Sequence, residues 1–113
     1  MRFLVLLYQD EQIWASADEA LIAQYYRDHG AYADQAASLG VTIEASEALR
    51  SVRTATTLRR AGEDATVREG PFAETAEQLG GFYLVDAPSL DTVLTHARLL
   101  PEYTIEVREI APM

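Results

Sequence analysis

The stretch "EGPFAETAEQLGGFYLVD", Glu69 to Asp86, holds the two features from which the rest of the chain is read. Its second half continues into "GFYLVDA", an apolar run rich in strand formers that predicts a β-strand. Its first half is a corner. Gly70 can take a positive φ that other residues resist. Pro71 fixes its own φ and biases the residue before it away from the helical region. A rigid corner gives Phe72 a defined direction, as a buried aromatic anchor requires. Glu74, Thr75, Glu77 and Gln78 place polar groups just beyond it. In one reading the corner is a strand exit that seats Phe72 in the core or at a subunit interface. In the other it aims Glu74 into a pocket.

Outward from this stretch, "RFLVLLY" (Arg2–Tyr8) is a continuous apolar run that predicts a central strand buried on both faces. Acids follow it without a small-residue cleavage site, so it reads as a strand and not as a signal peptide. Next comes a long amphipathic helix. Ser16 with Glu19 fits a capping box, and Ile22, Tyr25, His29, Tyr32, Ala36 and Leu39 recur at three- and four-residue steps. Gly40 is the expected stop, and Gly30 is read as a point of close packing. "TIEASEALR" predicts a strand, and "TATTLRR" and "ATVRE" flank "AGED" as a hairpin. Pro88 and Ser89 open a second helix with Leu90, Val93, Leu94, Ala97 and Leu100 on one face, and Pro101 ends it. "YTIEVREI" alternates, with Tyr103, Ile105 and Val107 on one side.

The order strand, helix, strands, strand, helix, strand predicts an α+β fold. It is a ferredoxin-like sheet with both helices on one face and a β-hairpin inserted in the middle. The 113 residues suit one domain spanning 1–113. A chain this small hides a limited share of its surface, so pairing with a second copy is expected.

Composition excludes several function classes. The net charge is −9, from 18 acids against 9 bases, and every base is an arginine. A polyanion is repelled over most of such a surface, so neither nucleic acid nor an anionic membrane is expected as a partner. The absence of cysteine rules out disulfides, thiolate metal sites and cysteine nucleophiles. No apolar run reaches the length of a membrane span, and a cytoplasmic setting is the default. The two histidines form no HxxxH or HxH pattern, and neither a glycine-rich phosphate loop nor a Gly-x-Ser-x-Gly elbow occurs. No metal and no cofactor is therefore expected.

At the corner the chain resembles the YCII-related family, specifically its DGPF subgroup, whose signature runs Asp-Gly-Pro-Phe, Ala-Glu-Thr, often Lys, then Glu-Gln-Leu-Gly-Gly-Phe. Here Glu69 stands where Asp is usual and keeps the charge. Ala76 stands where Lys is common and removes an anion partner. The likeness extends to the opening strand, "ASLGV", "TATTLR" and the terminal "TIEVREI". It implies a ferredoxin-like subunit that forms a dimeric α+β barrel, with a pocket between sheet and helices. It also implies a pair of functional residues, a histidine on the first helix and an aspartate just before a proline after the second. His29 falls at the histidine, but Leu100 occupies the aspartate position.

His29 lies on the apolar stripe of the first helix, where a titratable ring needs a partner. It is either a satisfied core histidine, hydrogen-bonded to a backbone carbonyl or a tyrosine, or a general acid–base in a semi-enclosed pocket. With Leu100 at the usual partner position, Glu74 is the first candidate to orient the ring, which would raise its pKa. Tyr8, Tyr25, Phe72 and Gln78 are the candidate ligand-binding residues. Trp14 is placed in a loop at the pocket mouth or against a helix end, and His96 on the solvated edge of the second helix. Two functions follow from different classes. One is a small enzyme using His29 as acid–base, with Glu74, on a small organic substrate. The other is a non-catalytic homodimeric module for a small ligand or for regulation.

Overall fold

The computed structural model describes residues 1–113. Four strands form one sheet, in the order β2 (Thr42–Ala48), β5 (Gln78–Asp86), β1 (Arg2–Gln9), β6 (Thr104–Glu109), with every neighbour antiparallel. The remaining strands, β3 (Thr56–Ala61) and β4 (Asp64–Glu69), pair only with each other. The helices are α1 (Glu11–Ala15), α2 (Glu19–Gln35) and α3 (Leu90–Ala97). This is the predicted α+β, ferredoxin-like arrangement with its inserted hairpin. No helix is long and apolar enough to cross a membrane.

Strand parity decides what is buried. Phe3, Val5 and Leu7 of β1 and Tyr83 and Val85 of β5 point to one face, where they meet Tyr32 of α2, Ala36 at its C-terminal cap, and Val93 and Ala97 of α3. Ile105 and Val107 of β6 and the preceding Tyr103 pack against the same cluster, as their alternation predicts. The other residues of β1, Leu4, Leu6 and Tyr8, are only half-buried. The central strand is thus not covered on both faces, because both longer helices lie on the same side.

Several local expectations change for identifiable reasons. A short helix, α1, precedes α2. Asp10 caps it by accepting from the Gln12 amide at 2.9 Å, and the Ser16 hydroxyl donates back to the Gln12 carbonyl at 2.6 Å. Ser16 therefore ends α1, and the cap of α2 is Asp18, which accepts from the Leu21 amide at 2.8 Å. Gly40 does stop the first helical stripe, at φ 74°. Gly30 faces open space and mediates no close packing. In α3 the buried stripe is Val93, His96 and Ala97, followed by Leu100, while Leu90 and Leu94 are exposed. His96, expected at the solvated edge, is 1 % exposed, because the buried face of α3 is turned by one position from the one the leucines suggested.

The Gly70–Pro71 corner is a strand exit. Gly70 has φ 103°, its amide donates to the Ala55 carbonyl at 2.8 Å, and its carbonyl accepts from the Thr57 hydroxyl at 2.8 Å. Phe72 is not buried in the core of the chain, the first of the two seats expected of it. It is 74 % exposed, because the corner belongs to the β3–β4 arm and not to the sheet that carries the core. Beyond it, the Gln78 amide donates to the carbonyls of Ala73 and Thr75 at 3.0 and 3.1 Å, which folds the connection back into β5.

Candidate active site

A cavity of about 830 Å³ opens between the helix-facing side of the sheet, α1 and the middle of α2. That volume lies in the range of small-molecule sites. Gly80 leaves part of its lining without a side chain. β1 and β5 are out of step by one residue, so that Leu7 pairs with Gly81 and Tyr8 with Leu79, leaving Gly80 without a partner. Gly81 stands so close to β2 that a Cβ would lie 2.9 Å from the Glu47 carbonyl oxygen.

One side of the cavity is aromatic. Trp14 of α1 packs on Tyr25 of α2 with ring centroids 5.5 Å apart, and Tyr25 meets Tyr103 edge to face at 5.8 Å. The Gln9 side-chain amide donates to the Tyr25 hydroxyl. α1 is held over the cavity by Glu11, whose carboxylate accepts from the Ser51 hydroxyl at 2.8 Å and the Val52 amide at 2.9 Å. This pins the helical turn Val52–Thr54 to α1.

His29 supplies the polar end. Its Nδ1 lies 2.6 Å from the Tyr83 hydroxyl and its Nε2 lies 2.8 Å from the Tyr103 hydroxyl, and all three side chains line the cavity. A neutral imidazole has one N–H and one lone pair. One tyrosine therefore donates to the ring and the other accepts from it. Burial lowers the His29 pKa below its ordinary value, and the nearby Asp28 charge opposes this only in part. Burial raises Tyr83 and pushes Tyr103 up to about 12. Every member of the relay is therefore neutral near pH 7.

Of the candidate residues read from the sequence, His29, Tyr25 and Gln78 border this cavity. Glu74 does not. It lines a separate, shallower cleft with Asp10, Pro71 and Thr75, and the His29 nitrogens are taken by tyrosines. The expected His29–Glu74 pair is therefore not formed, and the histidine pKa moves down and not up. Phe72 lines neither space. Tyr8 points to the opposite face of the sheet, where its hydroxyl donates to Glu106 at 3.2 Å. Leu100 packs in the core with no carboxylate in its place. Trp14 sits on α1 and not in a loop, and it does border the cavity. No group of three or more His, Asp or Glu side chains is placed to hold a metal ion.

Sequence reasoning allowed a tyrosine partner for a satisfied His29 without saying which tyrosines, and Tyr83 and Tyr103 fill that role in place of the carboxylate sought for an acid–base. The signal was strand parity: Tyr83 shares a face with Val85, and Tyr103 precedes a strand whose Ile105 and Val107 face the core. Arg53, on the turn after β2, also borders the cavity and was not singled out.

Comparison with known proteins agrees with this fold. The profile of the YCII-related domain matches residues 1–113. The chain is also similar to an uncharacterised protein of Rhizobium meliloti (strain 1021), at 38% identity over 98 residues that make up 87% of this chain and 78% of the relative.

Proposed function

The chain belongs to the YCII-related domain family, and from that premise and the geometry of its cavity we propose that it is a small enzyme of proton transfer acting on a small organic carbonyl compound. The observation that carries this reading is the contact of both His29 nitrogens with tyrosine hydroxyls that themselves border the cavity. Such a relay is bifunctional. One tyrosine gives its proton to a carbonyl oxygen and recovers one from the imidazole N–H. The other passes its proton to the imidazole lone pair and takes one from the carbon next to the carbonyl. The substrate gains a proton on oxygen and loses one from carbon, while the protein ends neutral with the imidazole tautomer exchanged. No free tyrosinate accumulates, which suits hydroxyls whose burial makes them weak acids.

The test is hydrogen exchange. Small enolisable ketones and keto acids are incubated in D₂O with the protein and followed by proton NMR. Exchange at the carbon next to the carbonyl should exceed that with His29→Gln and Tyr103→Phe. Equal exchange with all three proteins would leave the alternative, a ligand-binding module without turnover. The leucine at position 100, where a carboxylate partner was expected, favours that alternative.

We further propose that the working unit is a homodimer. On the open face of the sheet, Leu4 stands opposite Leu84 and Leu6 opposite Phe82, all half-buried. The ion pairs Arg2–Glu44 and Arg108–Glu106 lie beside them. An apolar centre with a charged rim is the anatomy of an interface.

A further inference from the structure

We propose that the ligand of this cavity carries a carboxylate and that Arg53 receives it. The proposal rests on the cavity being a ligand site and adds the class of ligand. Arg53 is the only arginine among the cavity's lining residues, in a protein whose net charge is −9. Its guanidinium makes no hydrogen bond or ion pair with the protein. Arg2, Arg27, Arg60, Arg68 and Arg108 find partners, whereas Arg50, Arg59 and Arg98, which are also unpaired, do not border the cavity. Arg53 also borders the shallower cleft, so it stands in the wall between the two spaces.

The base of this side chain is held in place. The Ser51 hydroxyl accepts from the Arg53 amide at 3.2 Å and donates to Glu11, and Glu11 also receives the Val52 amide. The guanidinium is thus projected from a turn clamped to α1. Three carboxylates lie around it. Glu11 is already engaged by two donors. Glu47 also borders the cavity but forms no ion pair with Arg53. Glu74 is across the cleft and outside ion-pair distance. A guanidinium left free beside an aromatic cavity matches a planar monoanion through two parallel N–H bonds. A phosphate dianion is the poorer match, since no second arginine or lysine borders the cavity. An apolar body would then lie among Trp14, Tyr25 and Tyr103, with its polar end at His29.

The experiment measures binding and needs no turnover. Phenylacetate, phenylacetamide and phenyl phosphate are titrated against the intact protein, with the Trp14 indole N–H followed by NMR. Phenylacetate should bind at least tenfold more tightly than the amide, and Arg53→Gln should remove that preference. If exchange activity is absent but the preference depends on Arg53, the anion site stands and the catalytic reading falls. The proposal is overturned if phenylacetate fails to bind at millimolar concentration, if acid and amide bind alike, or if the preference survives Arg53→Gln. Tighter binding of phenyl phosphate than of phenylacetate would also overturn it. A thermal melt of Arg53→Gln close to that of the wild type excludes loss of fold as the cause.

Discussion

The imidazole of His96 lies flat on the ring of Tyr32, with centroids 3.7 Å apart and planes inclined by 9°, and its Nε2–H donates to the Tyr32 backbone carbonyl at 2.6 Å. This contact joins α3 to α2 at the centre of the helical layer. It continues through Tyr32 to Tyr83, 4.5 Å away, and from Tyr83 to His29. The core and the candidate site are thus one connected aromatic stack. The Tyr32 hydroxyl and His96 Nδ1 are buried within it without partners, so ring packing and the single Nε2 bond fix the geometry.

Removing the His96 ring should therefore weaken the whole domain. His96→Ala leaves a cavity against Tyr32 and deletes a buried hydrogen bond. We expect a loss of about 2–5 kcal/mol in urea unfolding. A loss under about 1 kcal/mol would mean that the stack contributes little.

Gly81→Ala tests the close approach of β2 and β5. The new Cβ would meet the Glu47 carbonyl oxygen at 2.9 Å and the Ala48 Cα at 3.6 Å, both backbone atoms, so a strand must shift. Overpacking of this kind costs about 1–3 kcal/mol. Gly80→Ala meets only the Leu7 carbonyl oxygen, at 3.9 Å, and should be much milder. Thermal melts of the two variants should differ in that order.

His29 gives a pH dependence of definite sign. Burial holds its folded-state pKa below the ordinary 6.5, so the unfolded chain takes up the proton first as pH falls. The associated stability is fully present above pH 6.5 and is lost as pH falls from there through the lower folded value. NMR titration should place the His29 midpoint below 6.5 in the wild type and at the same value in Glu74→Gln, since Glu74 lies in a different cleft. A midpoint above 6.5, or one that moves in Glu74→Gln, contradicts this arrangement.

The open face of the sheet supplies the test of assembly. Light scattering at micromolar concentration should give twice the 12.5 kDa of one chain. Leu6→Glu, which places a charge at the centre of the apolar face opposite Phe82, should return the monomer. A monomeric wild type would remove the homodimer.

Local signals that act over a few residues were legible in the chain itself. The alternation of "YTIEVREI", the stop at Gly40, the corner at Gly70 and the hairpin around Gly62 each depend on backbone preference and side-chain period, which neighbouring residues set. Together they give the element order and hence the sheet. The helical phase of α2 likewise places Tyr25, His29 and Tyr32 on one stripe. What surrounds that stripe depends on residues far apart in sequence. His29 meets Tyr83 and Tyr103 across separations of 54 and 74 residues, and whether its neighbour is a carboxylate or a phenol decides the direction of its pKa. Phe72 and His96 make the same point from opposite sides. An aromatic after a rigid corner stays exposed because its hairpin leaves the sheet, and an imidazole beside leucines is buried because α3 turns that edge toward Tyr32. Burial is a property of how layers pack against one another, and no local preference carries that information.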